Sequence, residues 1–189
     1  MALLVLLVLV AGAGLGLAAL YNHLVQLRVA AAGAWADIDV QLKRRYDLVP
    51  NLVETVKGYA GHERDTLTQV IEARNQAQAA AAGSQAGDPA ARAGLENQLA
   101  GALRQVFALG EAYPQLRAVE GFTALQGSLQ EVEDALQNAR RYYNAVVRDY
   151  NTALEQFPSN LVAGWFAFQR RVFFELDQSV EGQAPAVRF

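Results

Sequence analysis

The sequence predicts an all-α membrane protein: an N-terminal transmembrane helix, a four-helix up-and-down bundle, and a C-terminal amphipathic aromatic helix. Three observations predict it. The chain has 189 residues, and Met1 to Leu27 contains no Asp, Glu, Lys or Arg. Beyond Tyr21 the apolar residues recur three or four positions apart, with no alternating run long enough for a strand. Proline and glycine at Pro50, Gly83, Gly87, Pro89, Pro114 and Pro158 cut that pattern into helix-length pieces. The expected divisions are a span with its juxtamembrane segment at 1–27, the bundle at 28–157, and the aromatic helix and tail at 158–189.

Met1–Leu20 has no polar side chain. Twenty helical residues rise about 30 Å, the thickness of a bilayer's hydrocarbon core. Inside lipid each backbone N–H and C=O must find its partner within the segment, which only a helix provides. A cleaved signal peptide competes with this reading. It would want a basic region before the apolar run, and none is present, although Ala11-Gly12-Ala13 offers small residues to a peptidase. The first basic residues, Arg28 and then Lys43, Arg44 and Arg45, follow the span, which puts the bulk of the chain in the cytoplasm. Gly12 and Gly16 form a GxxxG that permits close helix approach in lipid.

The next stripe is Leu24, Leu27, Ala31, Ala34, Ile38, Leu42, Tyr46 and Val49, so the first bundle helix continues from the span. Pro50 either kinks it or begins a second helix capped by Asp47. The apolar phase resumes at Val53, Val56, Ala60, Leu67, Val70 and Ile71. Gly83, Ser84 and Gly87 then mark a connection, and Asp88-Pro89 is a start signal for a third helix through Leu95, Leu99, Leu103, Val106 and Phe107. Pro114 ends it. The fourth helix carries the longest stripe, from Phe122 through Leu129, Val132, Leu136, Tyr143, Val147 and Tyr150 to Leu154, and Phe157-Pro158 closes it. Helices with one apolar face and short connections bury those faces together as a bundle.

Chemistry is sparse. A formal net charge of −3 excludes a nucleic-acid binder driven by bulk charge. The absence of cysteine removes disulfides, thiolate metal sites and thiol nucleophiles. A di-iron site in a bundle wants Glu-x-x-His on two helices, but Tyr59 and Leu20 occupy the positions before His62 and His23. No HExxH, P-loop or GxSxG occurs. Asp37/Asp39 and Glu131/Glu133 are two apart, which points their carboxylates to different helix faces. The chain therefore reads as non-enzymatic, with no cofactor, metal or small-molecule substrate.

Two features remain as candidate interaction surfaces. Arg141, Asn144, Arg148 and Asn151 share one face of the fourth helix, and Arg44, Asp47 and Asn51 one face of the first. Such stripes are commonly solvated; the sharper expectation is an interhelical ionic network or a partner surface, with Arg148–Asp47 as its test pair. The second feature is Leu161–Leu176, where Trp165, Phe166, Phe168 and Phe173 sit on an apolar stripe at helical spacing. Three destinations are open to it: its own bundle, a groove on a neighbouring subunit, or the headgroup layer.

The blocks YNHLVQLR, AWADIDVQLKRRYDLVPNLVETVKGYAGHE, FALGEAYPQLRA and RRYYNAVVRDYNTALEQFPSNLVAG, in that order, resemble the LemA family. The resemblance implies a bacterial inner-membrane protein with one N-terminal span and a cytoplasmic four-helix bundle. It implies no activity and no catalytic residue, and a magnetosome-membrane branch of the family suggests membrane organisation for some members. The expected function is a membrane-anchored scaffold that self-assembles as a homo-oligomer or docks a membrane-protein partner. The alternatives are a membrane-shaping or lipid-sensing protein in contact with membrane lipid, or an accessory subunit of a membrane protease.

Overall fold

The computed structural model describes residues 1–83 and 89–175. Helix α1, Ala2–Lys57, runs 56 residues without interruption, and its N-terminal part is long and apolar enough to cross a membrane. From Leu24 onward the same helix buries Ala31, Ala34, Trp35, Ile38, Leu42, Tyr46, Val49, Leu52, Val53 and Val56, the stripe set by 3.6-residue periodicity. Pro50 stands inside this helix and neither reverses the chain nor starts a new element. Proline removes the N–H that would bond to the carbonyl four residues back, on Tyr46. Arg74 supplies the missing donor from outside, with Nε 3.2 Å from the Tyr46 oxygen.

Helix α2, Arg64–Gly83, carries Arg74 back along α1. Helix α3, Pro89–Ala112, then runs in the same direction as α1, since Arg92 meets Asp39, Glu96 meets Tyr46, and Tyr113 just beyond it meets Glu63. The expected connection at Ser84–Gly87 and the Asp88 cap lie outside the described residues. A single turn, α4 at Pro114–Arg117, leads into α5, Glu120–Glu155. At that corner Phe122 lies against Gly110, where a Cβ would come within 2.7 Å of its ring. Only glycine permits this approach.

Helix α5 returns antiparallel along α1: Arg44 faces Glu131, Trp35 faces Tyr143, and Leu24 packs with Tyr150 and Leu154. Helix α6 is short, Ser159–Trp165. The aromatic helix expected to Leu176 is therefore corrected: helix stops at Trp165, and residues 166–175 carry no regular secondary structure. Leu176 itself lies outside the described residues. Ala167 adopts a left-handed φ of 53°, while the Phe168 amide bonds back to Ala163 O at 3.0 Å, the pattern of a Schellman stop. Alanine gives no glycine signal there, so helical spacing alone overran the end.

Candidate functional site

The segment after α6 is held along α5 by side chains rather than by a helix face. Asn151 donates its Nδ2 to Arg171 O at 2.8 Å and accepts the Arg171 amide at 2.9 Å. One heptad earlier Asn144 does the same for Phe174, at 3.1 and 2.9 Å. The Tyr150 and Tyr143 hydroxyls donate to Gln169 O and Val172 O at 3.0 and 2.9 Å. Burial pushes both phenols above the ordinary tyrosine value. Phe174 is the anchor of this strap: it is fully buried, edge-on to Trp35 at 5.3 Å. An open groove of about 770 Å³ lies beside the strap, lined by Ala93, Gly94, Asn97, Asn144 and Phe173 among others.

A second feature is a charged cluster in the core. Arg45 and Glu96 are only 2% and 1% exposed, and Arg45 Nη1 lies 3.6 Å from both Glu96 Oε2 and Glu133 Oε2. Tyr46 donates its hydroxyl to Glu96 Oε1. Next to it Arg92 bonds Asp39 at 2.6 Å and stacks its guanidinium 5.0 Å from the Trp35 ring centroid. Burial pushes the Glu96 carboxyl above the usual carboxylate range, against the Tyr46 hydrogen bond and the Arg45 and Arg92 charges, which act the other way. The Tyr46 phenol is likewise raised, first by burial and then by Glu96. The arrangement ties α1, α3 and α5 in register, and Arg45 and Glu133 border a cavity of about 270 Å³ with Arg104, Phe107, Gln130 and Gln137. Among the described residues no three His, Asp or Glu side chains converge as a metal site.

This cluster escaped the polar-stripe reading, although a signal for it exists. Arg45 lies three after Leu42 and four before Val49, and Arg92 and Glu96 continue the Leu99–Leu103 stripe backwards. Charges that interrupt an apolar stripe mark buried ions better than charges that line up with one another.

The third feature sits where α6 meets α1. Phe166 stacks on Tyr21 at 4.7 Å, and Phe168 lies 5.7 Å from Tyr21 and under the Arg28 guanidinium at 5.2 Å. Leu17, Leu20 and Leu27 pack on the same cluster. Phe157, Leu161 and Trp165 project from it, with Phe157 80% and Trp165 71% exposed.

The sequence-predicted residues thus fall in separate places. Gly12 and Gly16 lie on the apolar stretch of α1 with open space around each. Asp47 pairs with Lys43 at 2.8 Å and Arg148 contacts Asp149 at 3.8 Å, all four exposed, so the Asp47–Arg148 pair is not formed. The reason is direction. With α5 antiparallel to α1, Asp47 is level with the Glu131 region, more than about 20 Å along the axis from Arg148. Arg141 donates to Asn138 on its own helix and, with Arg148 and Phe173, borders a shallow surface groove. The two asparagines of that face hold the strap.

A family profile described as LemA family matches residues 34–189. Two relatives from Paramagnetospirillum magneticum (strain ATCC 700264 / AMB-1), named magnetosome protein MamQ 1 and MamQ 2, are each 25% identical over 187 residues. A third, magnetosome protein MamQ of Magnetospirillum gryphiswaldense, is 22% identical over 187 residues. Each alignment covers 88% of this chain and 68% of the relative.

Proposed function

Because this chain belongs to the LemA family, whose profile covers most of its length, we propose that it is a membrane-anchored, non-enzymatic helical scaffold. In this reading residues 1–27 anchor it in the bacterial inner membrane, and 28–157 form a cytoplasmic four-helix up-and-down bundle. The scaffold assembles with copies of itself or docks a membrane-protein partner. The observation that carries it is the continuity of α1. At 1.5 Å per residue its 56 residues make a rod of about 84 Å, of which about 28 Å would lie in the hydrocarbon. No linker separates the apolar stretch from the stripe that packs against α2 and α5, so the helical domain cannot turn independently of its anchor. Fixed height and orientation are what a scaffold requires and what an enzyme acting on diffusing substrates does not. The relatives are named for the magnetosome and for no reaction, which fits a non-enzymatic reading.

Two measurements test this reading. The full-length protein should stay with the membrane pellet after alkaline carbonate extraction, with Met1–Leu20 retained by mass spectrometry. Released into mild detergent, it should show a defined mass above one chain or co-purify with a stoichiometric membrane protein. A soluble fraction lacking the first residues would return the apolar stretch to a cleaved leader. A monodisperse monomer with no partner would remove the scaffold.

A further inference from the structure

Exposed apolar side chains elsewhere on the helical domain, such as Val40, Tyr59 and Ile71, lie on different elements, but at one end four large ones share a corner. Phe157, Leu161, Trp165 and Phe166 are all half-exposed or more, and they share the α5–α6 corner. That corner is fixed in height by α1, because Phe166 stacks on Tyr21 while Leu17 and Leu20 pack against the α6 cluster. The run without polar side chains ends at Leu20, and Tyr21 and Asn22 follow it, so the edge of the hydrocarbon falls near residues 20–22. Phe166, packed on Tyr21, is therefore level with that edge, on the same corner as Phe157, Leu161 and Trp165. Arg28 is seated one turn or two higher, above Phe168, at the depth of lipid phosphates. Trp and Phe at the acyl boundary with arginine just outside it are the composition of an interfacial contact.

We propose that Phe157, Leu161, Trp165 and Phe166 form a foot that enters the headgroup layer of the bilayer that α1 crosses, giving the domain a second membrane contact beside its anchor. The proposal rests on the anchored reading above. A lipid surface is the occupant because the patch is continuous, through Leu17 and Leu20, with the exposed apolar surface of α1. A soluble partner covering it would have to occupy the headgroup space itself. Two contacts, one spanning and one lateral, would fix the tilt of α1 and make the domain responsive to lipid packing around it.

The absence of cysteine allows a direct depth measurement. Single-cysteine variants of the full chain, Leu161→Cys and Trp165→Cys, are spin-labelled and reconstituted into phosphatidylcholine–phosphatidylglycerol vesicles. Leu15→Cys in the apolar stretch and Tyr142→Cys, exposed beside the Trp35-contacting Tyr143, bracket them. The expected result is a ratio of oxygen to nickel-chelate collision that falls between the two references and well above Tyr142. Labels at 161 and 165 as open to the nickel chelate as Tyr142 would overturn the foot while leaving the anchor intact. Spin–spin broadening at Leu161 that disappears on dilution with unlabelled protein would also overturn it, by placing a second copy on the patch. A Leu15 label open to the chelate would overturn the anchored reading, and the foot with it.

Discussion

Arg74 Nε lies 3.2 Å from the main-chain oxygen of Tyr46, the carbonyl that Pro50 leaves without its helical donor. A side chain on α2 thereby repairs a break in α1. A charged donor on a buried carbonyl contributes about 1.5–3 kcal/mol, so Arg74→Met should lower the melting temperature of the detergent-solubilised protein. Pro50→Ala restores the amide at position 50. In that background the cost of Arg74→Met should shrink to the loss of its packing alone. Equal costs in both backgrounds would show that Arg74 acts through something other than this carbonyl.

The Arg45–Glu96–Tyr46 cluster predicts a large penalty when one member is removed. Glu96→Ala leaves Arg45 with only the more exposed carboxylate of Glu133 and strands the Tyr46 hydroxyl, at a cost of about 3–5 kcal/mol. Thermal melts measure it, and a change within about 1 kcal/mol, the range of a surface pair, would place the cluster in solvent.

The same residue predicts a pH dependence. Folded Glu96 holds its proton more tightly than the unfolded chain does, because burial raises its carboxyl. Its ionisation therefore opposes folding: the penalty is absent below the ordinary carboxylate value of about 4.3, grows as pH rises toward the raised folded value, and is constant above that. Subtracting the Tm–pH profile of Glu96→Gln from that of the native protein should leave a downward slope in this window. A flat difference would mean that Arg45 and Arg92 fully offset the burial.

Much of this architecture is legible in sequence, and the failures have common physical causes. The stripes of α1 and α5 name buried residues because burial on a single helix is a local periodicity. Pro50 could not be resolved that way, since its compensation comes from a residue 24 positions later in the chain. The run from Phe166 to Glu175 fits a helical stripe equally well, and what it gains outside a helix is the non-local asparagine pairing on α5. Charge stripes misled for the same reason: Asp47 and Arg148 occupy compatible faces but different heights.

Ala167 offers a gain rather than a loss. With φ at 53°, its Cβ crowds the neighbouring carbonyl in a conformation that glycine adopts freely. Ala167→Gly should raise stability by up to about 1 kcal/mol, less the entropy a freer unfolded chain returns. Ala167→Val at the same position should destabilise. If both variants melt with the native protein, the stop after Trp165 is imposed by Phe168 and the strap rather than by residue 167.

The strap predicts a ladder with a definite spacing. Asn144 and Asn151 are seven residues apart, about 10.5 Å along α5, while their partners Phe174 and Arg171 are three apart, about 10 Å of extended chain. Tyr143 and Tyr150 repeat the match with Val172 and Gln169. Each asparagine pairs both the N–H and the C=O of one strap residue, so each alanine variant should lose two hydrogen bonds, about 1–3 kcal/mol. Amide exchange resolves them individually. Asn151→Ala should speed exchange at Arg171 while Phe174, held in its slot against Trp35, stays protected. Asn144→Asp keeps the acceptor for the Phe174 amide but turns a carboxylate oxygen toward the Phe174 carbonyl, and should release that end more than its size suggests. Phe174→Ala removes the anchor, and with it the protection of both rungs. Exchange at Arg171 unchanged in Asn151→Ala would mean that burial of Phe174 alone holds the segment, and that the heptad match contributes nothing to it.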